Sequence, residues 1–241
     1  MQLYWEAFEE LVSTTQVLKS DLNPIYQFED QFVDGAFCDI GCGQTSPLIK
    51  YAGSTGRRLI GIDSEVSQLV KLRSRMAEIA GADDKKWELI TVDLQHNPLP
   101  EGPYAMVIMY NILHFFSLKE CKELITKLDQ HLVNGSLISL CVHSIKHPAN
   151  DPANPDNYFY FKHFFSQEDV DMLFPTNKFE RLYSADIERS YGKMDGEVSA
   201  LWAEKVILDM KITNNREKAD IRHHATMQQS TAEIINVYRK R

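Results

Sequence analysis

No stretch of this chain approaches the ~18 consecutive apolar residues that a membrane span needs, so an integral helical membrane protein is not expected. Cysteine is scarce: four in 241 residues, with no C-x-x-C pair. Cys38 and Cys42 flank a glycine turn, while Cys121 and Cys141 fall in segments that read as helix and strand. A disulfide framework, a zinc ribbon and a thioredoxin-type site are therefore excluded. The first residues, Met1 to Glu6, lack the basic and apolar regions of a secretory signal, which points to a reduced, soluble, cytoplasmic protein. Positive charge is also short, with 26 Lys and Arg against 34 acids and a formal net charge of −8. That balance disfavours nucleic acid as a partner. Internal repeats are absent. What remains is an ordinary globular composition, 44% apolar and 25% charged, which rules out a disordered or low-complexity chain.

The hydrophobic pattern alternates between short apolar runs and helical periods. Residues 3–19 carry apolar positions at helical spacing, and a second short helix is expected over 24–33, opening on Pro24. Residues 36–40 read as a buried strand running into Gly41-Cys42-Gly43. A helix then starts with Ser46 as N-cap and Pro47 in first position. Strands follow at 58–63, 87–93, 104–110 and 136–142, with helices over 64–80 and 117–132. Strands alternating with helices predict an α/β fold, a doubly wound, Rossmann-like parallel sheet covered on both faces.

Beyond residue 143 the pattern changes. A Pro-, Asn- and Asp-rich loop over 147–157 leads into six aromatics between Tyr158 and Phe165, then a short helix near 166–174 capped by Ser166. Strand-like segments at 179–190 and 198–212, joined across Gly192 to Gly196, predict a C-terminal antiparallel hairpin. Residues 214–241, with six Lys or Arg against three acids, read as a polar helix or tail. The expected organisation is one domain over 1–213. It comprises N-terminal helices at 1–35, a ligand-binding half at 36–143, and an acceptor-side loop, helix and hairpin at 144–213.

In an open parallel sheet, ligands bind beyond the carboxyl ends of the strands. Gly41 and Gly43 leave room there for a close backbone approach, and Asp39 precedes them on the same strand. Asp63 ends the second strand, 22 residues after Gly41, where a carboxylate can accept both hydroxyls of a ribose. Asp93 ends the third strand and Tyr110-Asn111 the fourth. Together these describe a site for an adenosine-containing small molecule, although strand-end acids also fit the simple capping of following helices. The dinucleotide fingerprint asks for a third glycine where Ser46 stands, which counts against a nicotinamide or flavin cofactor. A phosphate-cradling G-K-[ST] is absent from this turn.

Phe37-Cys38-Asp39-Ile40-Gly41-Cys42-Gly43 resembles the first motif of the class I S-adenosylmethionine-dependent methyltransferases. The resemblance continues through Gly61-Ile62-Asp63, Val92-Asp93-Leu94-Gln95, Met109-Tyr110-Asn111-Ile112-Leu113-His114 and the Leu132 to Leu137 approach to the fifth strand. It covers about residues 20–143 in the family's order. One departure is Thr45, where many members carry a further glycine. The resemblance implies S-adenosyl-L-methionine as cofactor and a seventh strand antiparallel between the fifth and sixth. The turn of Gly41, Cys42 and Gly43, with Asp39, would pass under its methionine part. Asp63, followed by Ser64, would take the ribose, Asp93 with Leu94 the adenine, and Asn111 beside Tyr110 would lie near the sulfonium.

A hydroxyl acceptor must lose a proton during methyl transfer, and His114 is the expected catalytic base. Leu113 to Ser117 resembles the base-bearing segment of the small-molecule O-methyltransferases, whose N-terminal dimerisation domain is much longer than the ~35 residues here. The same residues also fit packing beside Phe115 and Phe116. The short architecture further resembles the tellurite-resistance-type methyltransferases. The Asn/Asp-Pro-Pro-aromatic motif of nucleobase amino methylation is missing after the fourth strand. The aromatic run 158–165 fits either an acceptor pocket wall or plain core packing. His143, His147, His163 and the His223-His224 pair show no ligating spacing, so no metal is expected. The expectation is thus methyl transfer to a small molecule, its acceptor atom and the oligomeric state left open. The alternatives are an NAD-type oxidoreductase and a cofactor-binding protein without turnover.

Overall fold

A computed structural model describes residues 23–80, 87–94, 96–153, 161–190 and 230–241, with isolated positions between 203 and 222. The helix expected over 3–19, the Gly192 to Gly196 connection, Gln95, Tyr158 to Tyr160 and His223-His224 lie outside the described residues.

Seven strands form one sheet: β1 (Ala36–Ile40), β2 (Leu59–Asp63), β3 (Trp87–Thr91), β4 (Tyr104–Tyr110), β5 (Leu132–His143), β6 (Phe179–Ser190) and β7 (Ser230–Lys240). Their order is β3-β2-β1-β4-β5-β7-β6. The first five pair in parallel, and β7 runs antiparallel between β5 and β6. Helices α1 (Val66–Ala80), α2 (Leu118–Asp129) and α3 (Gln167–Leu173) accompany them.

The absence of clean alternation in β1 and β4 has a direct cause. Both strands are covered on both faces, so each residue parity meets a core. Ala36, Cys38 and Ile40 pack with Val107, Met109, Ile138 and Leu140 against α2 and α3 through Leu124, Leu128 and Val170. Phe37, Met106, Ile108 and Leu137 face the other way, onto Ile25, Leu48 and Tyr51 and onto Leu69, Leu72 and Met76 of α1. Helix α2 begins on a capping box in which Ser117 and Glu120 satisfy each other's backbone N–H, and α3 repeats the device with Ser166 and Asp169. Among the described residues no helix is long and apolar enough to cross a membrane.

Two expectations are corrected. The helix after the glycine turn is a single 3₁₀ stretch, Pro47–Tyr51, although Ser46 caps it as expected by accepting the Leu48 N–H at 3.1 Å. More consequentially, the final strand is Ser230–Lys240, not 198–212, so residues 214–241 are not simply a polar helix or tail. Described positions 203–204 and 207–208 are helical instead. The glycines at 192 and 196 suggested a local hairpin, but β7 is placed by long-range pairing. It enters between β5 and β6 with residues 231–238 all buried. Glu233 and Asn236 in its middle, both buried, made an interior strand read as polar.

Candidate active site

The carboxyl ends of β1, β2, β3 and β4 converge on one edge of the sheet. Gly41 leaves β1 at φ +73°, a left-handed conformation costly for any side chain, and a Cβ there would lie 2.9 Å from Ile112. The Gly41 and Cys42 N–H groups donate to the Ile62 carbonyl at 2.8 and 3.0 Å, pulling the turn back over β2. Gly43, at φ +51°, donates its N–H to Asp63 Oδ2 at 2.9 Å. Asp63 Oδ1 accepts the Glu65 N–H, also at 2.9 Å. The carboxylate therefore does cap the next segment. An ionised carboxylate offers about four lone-pair sites, so two remain for ligand hydroxyls, and Ser64 stands exposed beside it. Arg75 of α1 anchors the far side of the turn, its guanidinium donating to Gln44 O and Gln44 Oε1 at 3.2 and 3.0 Å.

Asp39 lies beneath this turn, fully buried, and accepts the Ser46 hydroxyl. Burial lifts its carboxyl to about 7; the Ser46 hydrogen bond opposes the rise and the nearby Asp63 charge adds to it. Burial likewise pushes the Cys42 thiol well above its ordinary range. The unfolded Asp39 ionises near 4 and the native one near 7, so the native state holds the extra proton between those values. Stability from this group is present below about pH 4 and is lost as pH rises through 7. Asp39→Asn, which keeps an oxygen for Ser46, should raise the stability measured by urea unfolding at pH 8, by as much as about 4 kcal/mol for a three-unit shift. The gain should fade by pH 4.5; an equal effect at both pH values refutes the assignment.

Asp93 follows β3, its carbonyl accepting the His96 and Asn97 N–H groups at 3.1 and 2.9 Å. Its Oδ2 lies 2.7 Å from His96 Nδ1. The Val92 N–H donates to the Asp63 carbonyl at 3.0 Å, which brings the two acids to neighbouring strand ends. Leu94 is half-buried against the core. Asn111 takes a positive φ of 55°, the non-glycine exception that Asn tolerates best, held by its N–H to the Cys141 carbonyl at 3.0 Å. Tyr110, one residue earlier, reaches Asn23 Oδ1 at 3.0 Å and Ser139 Oγ at 3.1 Å. Asn23 was not expected in this neighbourhood. It is the N-cap of the 3₁₀ helix Pro24–Gln31, and only the packing of that helix on β5 brings it here.

His114 is buried just past β4, and here the structure joins what the sequence scatters. Its ring stacks on His143 with centroids 3.7 Å apart and 13° between planes. His143 in turn stacks on His147 at 4.0 Å and 15°. Phe115 and Phe161 flank His114 at 4.4 and 5.2 Å. Burial holds His114 to about 3 and His147 to about 4, and takes His143 well below its usual range. All three imidazoles are neutral at pH 7. The Nδ1 atoms of His114 and His143 are buried without a partner among the described residues. The stacked rings lie face to face and do not converge on one point as metal ligands do. The aromatic run is tied to the same place: the His114 carbonyl accepts the Lys162 N–H at 2.9 Å and the His143 carbonyl accepts that of Phe165 at 2.9 Å. A signal for this cluster was available, because His114 follows β4 and His143 ends its parallel neighbour β5.

This edge suits an adenosyl ligand. Two glycines hold the turn backbone in left-handed conformations, the Asp63 carboxylate has spare acceptor capacity, and a second acid, Asp93, follows the adjacent strand. Residues 37–135 match the family model described as a methyltransferase domain. No curated protein sequence matches the chain. Among solved structures it is similar to an S-adenosylmethionine-dependent methyltransferase from Methanosarcina mazei, at 16% identity and a TM-score of 0.58, covering 91% of this chain and 98% of that one. TehB from Haemophilus influenzae gives 12% identity and 0.60, over 95% of this chain and 66% of that one. Magnesium protoporphyrin IX methyltransferase from Synechocystis, solved with bound S-adenosylhomocysteine, gives 14% identity and 0.55, over 98% and 82%. Residues 37–135 thus carry a methyltransferase domain, and the sheet order, glycine turn and strand-end acids around it are consistent with a class I, S-adenosylmethionine-dependent methyltransferase.

Proposed function

We propose that this enzyme methylates a small-molecule acceptor through an O, N, S or chalcogen nucleophile. The observation that carries the reading is the acceptor-side wall: neutral stacked imidazoles and phenylalanines beside the ends of β4 and β5, on a chain of net charge −8. Such a wall suits a compact, partly apolar molecule and repels a polyanion.

Asp63, with Ser64, holds the ribose hydroxyls, and Asp93 with Leu94 borders the adenine. Asp39 and the turn of Gly41, Cys42 and Gly43 underlie the methionine end, with Tyr110 and Asn111 at the reacting side. Bound S-adenosylmethionine supplies an electrophilic sulfonium methyl. The protein's part is to align the nucleophile and exclude water, which can provide most of the acceleration for an in-line displacement. His114 is the proposed proton acceptor for a hydroxyl nucleophile. Its neutral state leaves a ring nitrogen able to accept, and the burial that keeps it neutral also lowers its basicity, so the proton has to move together with methyl transfer rather than before it. A cytoplasmic setting belongs to the same proposal, since four free buried thiols fit a reducing compartment.

The test is incubation with methyl-labelled S-adenosylmethionine and a panel of phenols, amines, thiols and chalcogen oxyanions. Label should appear on one small-molecule class and not on nucleic acid. Binding without transfer to any acceptor would favour a non-catalytic role.

A further inference from the structure

Asn23 is buried, and its side-chain orientation is dictated by its surroundings. Its Oδ1 lies 3.0 Å from the Ile25 N–H, which can only donate, so the amide oxygen must face that group. The hydroxyls of Tyr110 and Ser139 approach the same oxygen at 3.0 and 3.1 Å. The two hydroxyls are also 3.1 Å from each other, which closes a ring of three oxygens. Turning the amide over would point an N–H at the Ile25 N–H. The oxygen is pinned, and the Nδ2 donor is thereby aimed away from the ring. Among the described residues that Nδ2 has no partner although it is buried. A dry, unsatisfied donor is costly, and a fixed one at a ligand site suits a ligand oxygen.

Chain parity places this ring on the cofactor side. Tyr110 and Ser139 share the sheet face of Phe37 and Asp39, and Tyr110 is the last residue of β4. With the ribose at Asp63 on β2, the rest of the cofactor must extend across β1 toward β4. Two strand spacings amount to about 10 Å, within reach of an extended amino-acid arm. The only carboxylate of S-adenosylmethionine ends that arm. From the pinned amide and its open donor we infer that Asn23 Nδ2 binds the amino-acid carboxylate of the cofactor, with Tyr110 and Ser139 holding the amide in its donating orientation. This assignment rests on the S-adenosylmethionine reading above.

The discriminating pair of ligands is S-adenosylmethionine and its decarboxylated analogue, which keeps the adenosine, sulfonium and ammonium and lacks only the carboxylate. Calorimetric titration of the full chain should show the wild type preferring the complete cofactor by about 10- to 100-fold, the effect of one hydrogen bond to a charged group. Asn23→Asp keeps the oxygen that Ile25, Tyr110 and Ser139 address and replaces the donor by a second acceptor. Its preference should fall below threefold or reverse, because the added negative charge repels the cofactor carboxylate and attracts the doubly cationic decarboxylated ligand. Asn23→Ala leaves Tyr110 and Ser139 to each other and should also lose the preference, which covers the case in which the Asp variant does not fold. A wild type that binds both ligands equally, or a folded variant that keeps the wild-type preference, overturns the assignment. Failure of the wild type to bind either ligand overturns the cofactor reading itself.

Discussion

Asp63→Ala should weaken S-adenosylmethionine and S-adenosylhomocysteine binding at least tenfold in calorimetry, and by more if both ribose hydroxyls are lost. A hydrogen bond to a charged group is worth about 1.5–3 kcal/mol, and on the proposed reading one carboxylate accepts two. The geometry adds a second loss. Asp63 also holds the Gly43 N–H at 2.9 Å and the Glu65 N–H at 2.9 Å, so its removal frees the turn that must pass close to the ligand. Asp63→Asn separates the contributions. It can keep one backbone donor satisfied while losing the charge, and should fall between wild type and alanine. Unchanged affinity in the alanine variant would mean that the carboxylate is only a cap.

The second large effect concerns acid. His114, His143 and His147 are neutral in the fold, held to about 3, well below the ordinary range, and about 4, each chiefly by burial. In the unfolded chain each takes a proton near pH 6.5. Below that pH the unfolded state binds more protons than the native one, so stability falls as pH falls, down to the native values. At pH 5 His114 and His147 each contribute about 2 kcal/mol of loss, and His143 adds to it in the same direction. The three together are a large share of the 5–15 kcal/mol typical of a domain. Asp39 acts in the opposite sense over the same window, because its native proton is already bound by pH 5. The histidine stack outweighs it by number, and the net expectation is a steep decline in urea midpoint between pH 6.5 and 4.5. His143→Phe keeps a ring in the middle of the stack and removes one titration, so the pH slope should lessen by about one proton. A slope identical to wild type would show that the stack does not govern acid stability.

These two groups illustrate unequal legibility. The place of Asp63 at a strand end beside the glycine turn could be read from the sequence because strand, turn and acid are local features with a fixed order. The same holds for the place of Asp93 just past β3 and for the caps at Ser46 and Ser166. The imidazole stack could not be assembled that way. His114 and His143 are 29 positions apart, and their meeting depends on β4 and β5 being parallel neighbours whose ends stand level. Asn23 is further removed still: it reaches Ser139 across 116 positions.

The C-terminal strand shows the same limit from another side. Turn glycines near 192 and 196 are strong local signals, yet β7 lies beyond them at Ser230–Lys240, and its buried Glu233 and Asn236 obscured its pattern. By itself the scarcity of cysteine, of positive charge and of long apolar runs, with the alternation of strands and helices, determined an α/β domain and the residues at its strand ends. The tertiary structure alone decided which strand completes the sheet, which histidines share a stack, and that Asn23 stands beside Tyr110. Local order encodes elements and turns, whereas contacts between distant residues exist only once the sheet has chosen its neighbours.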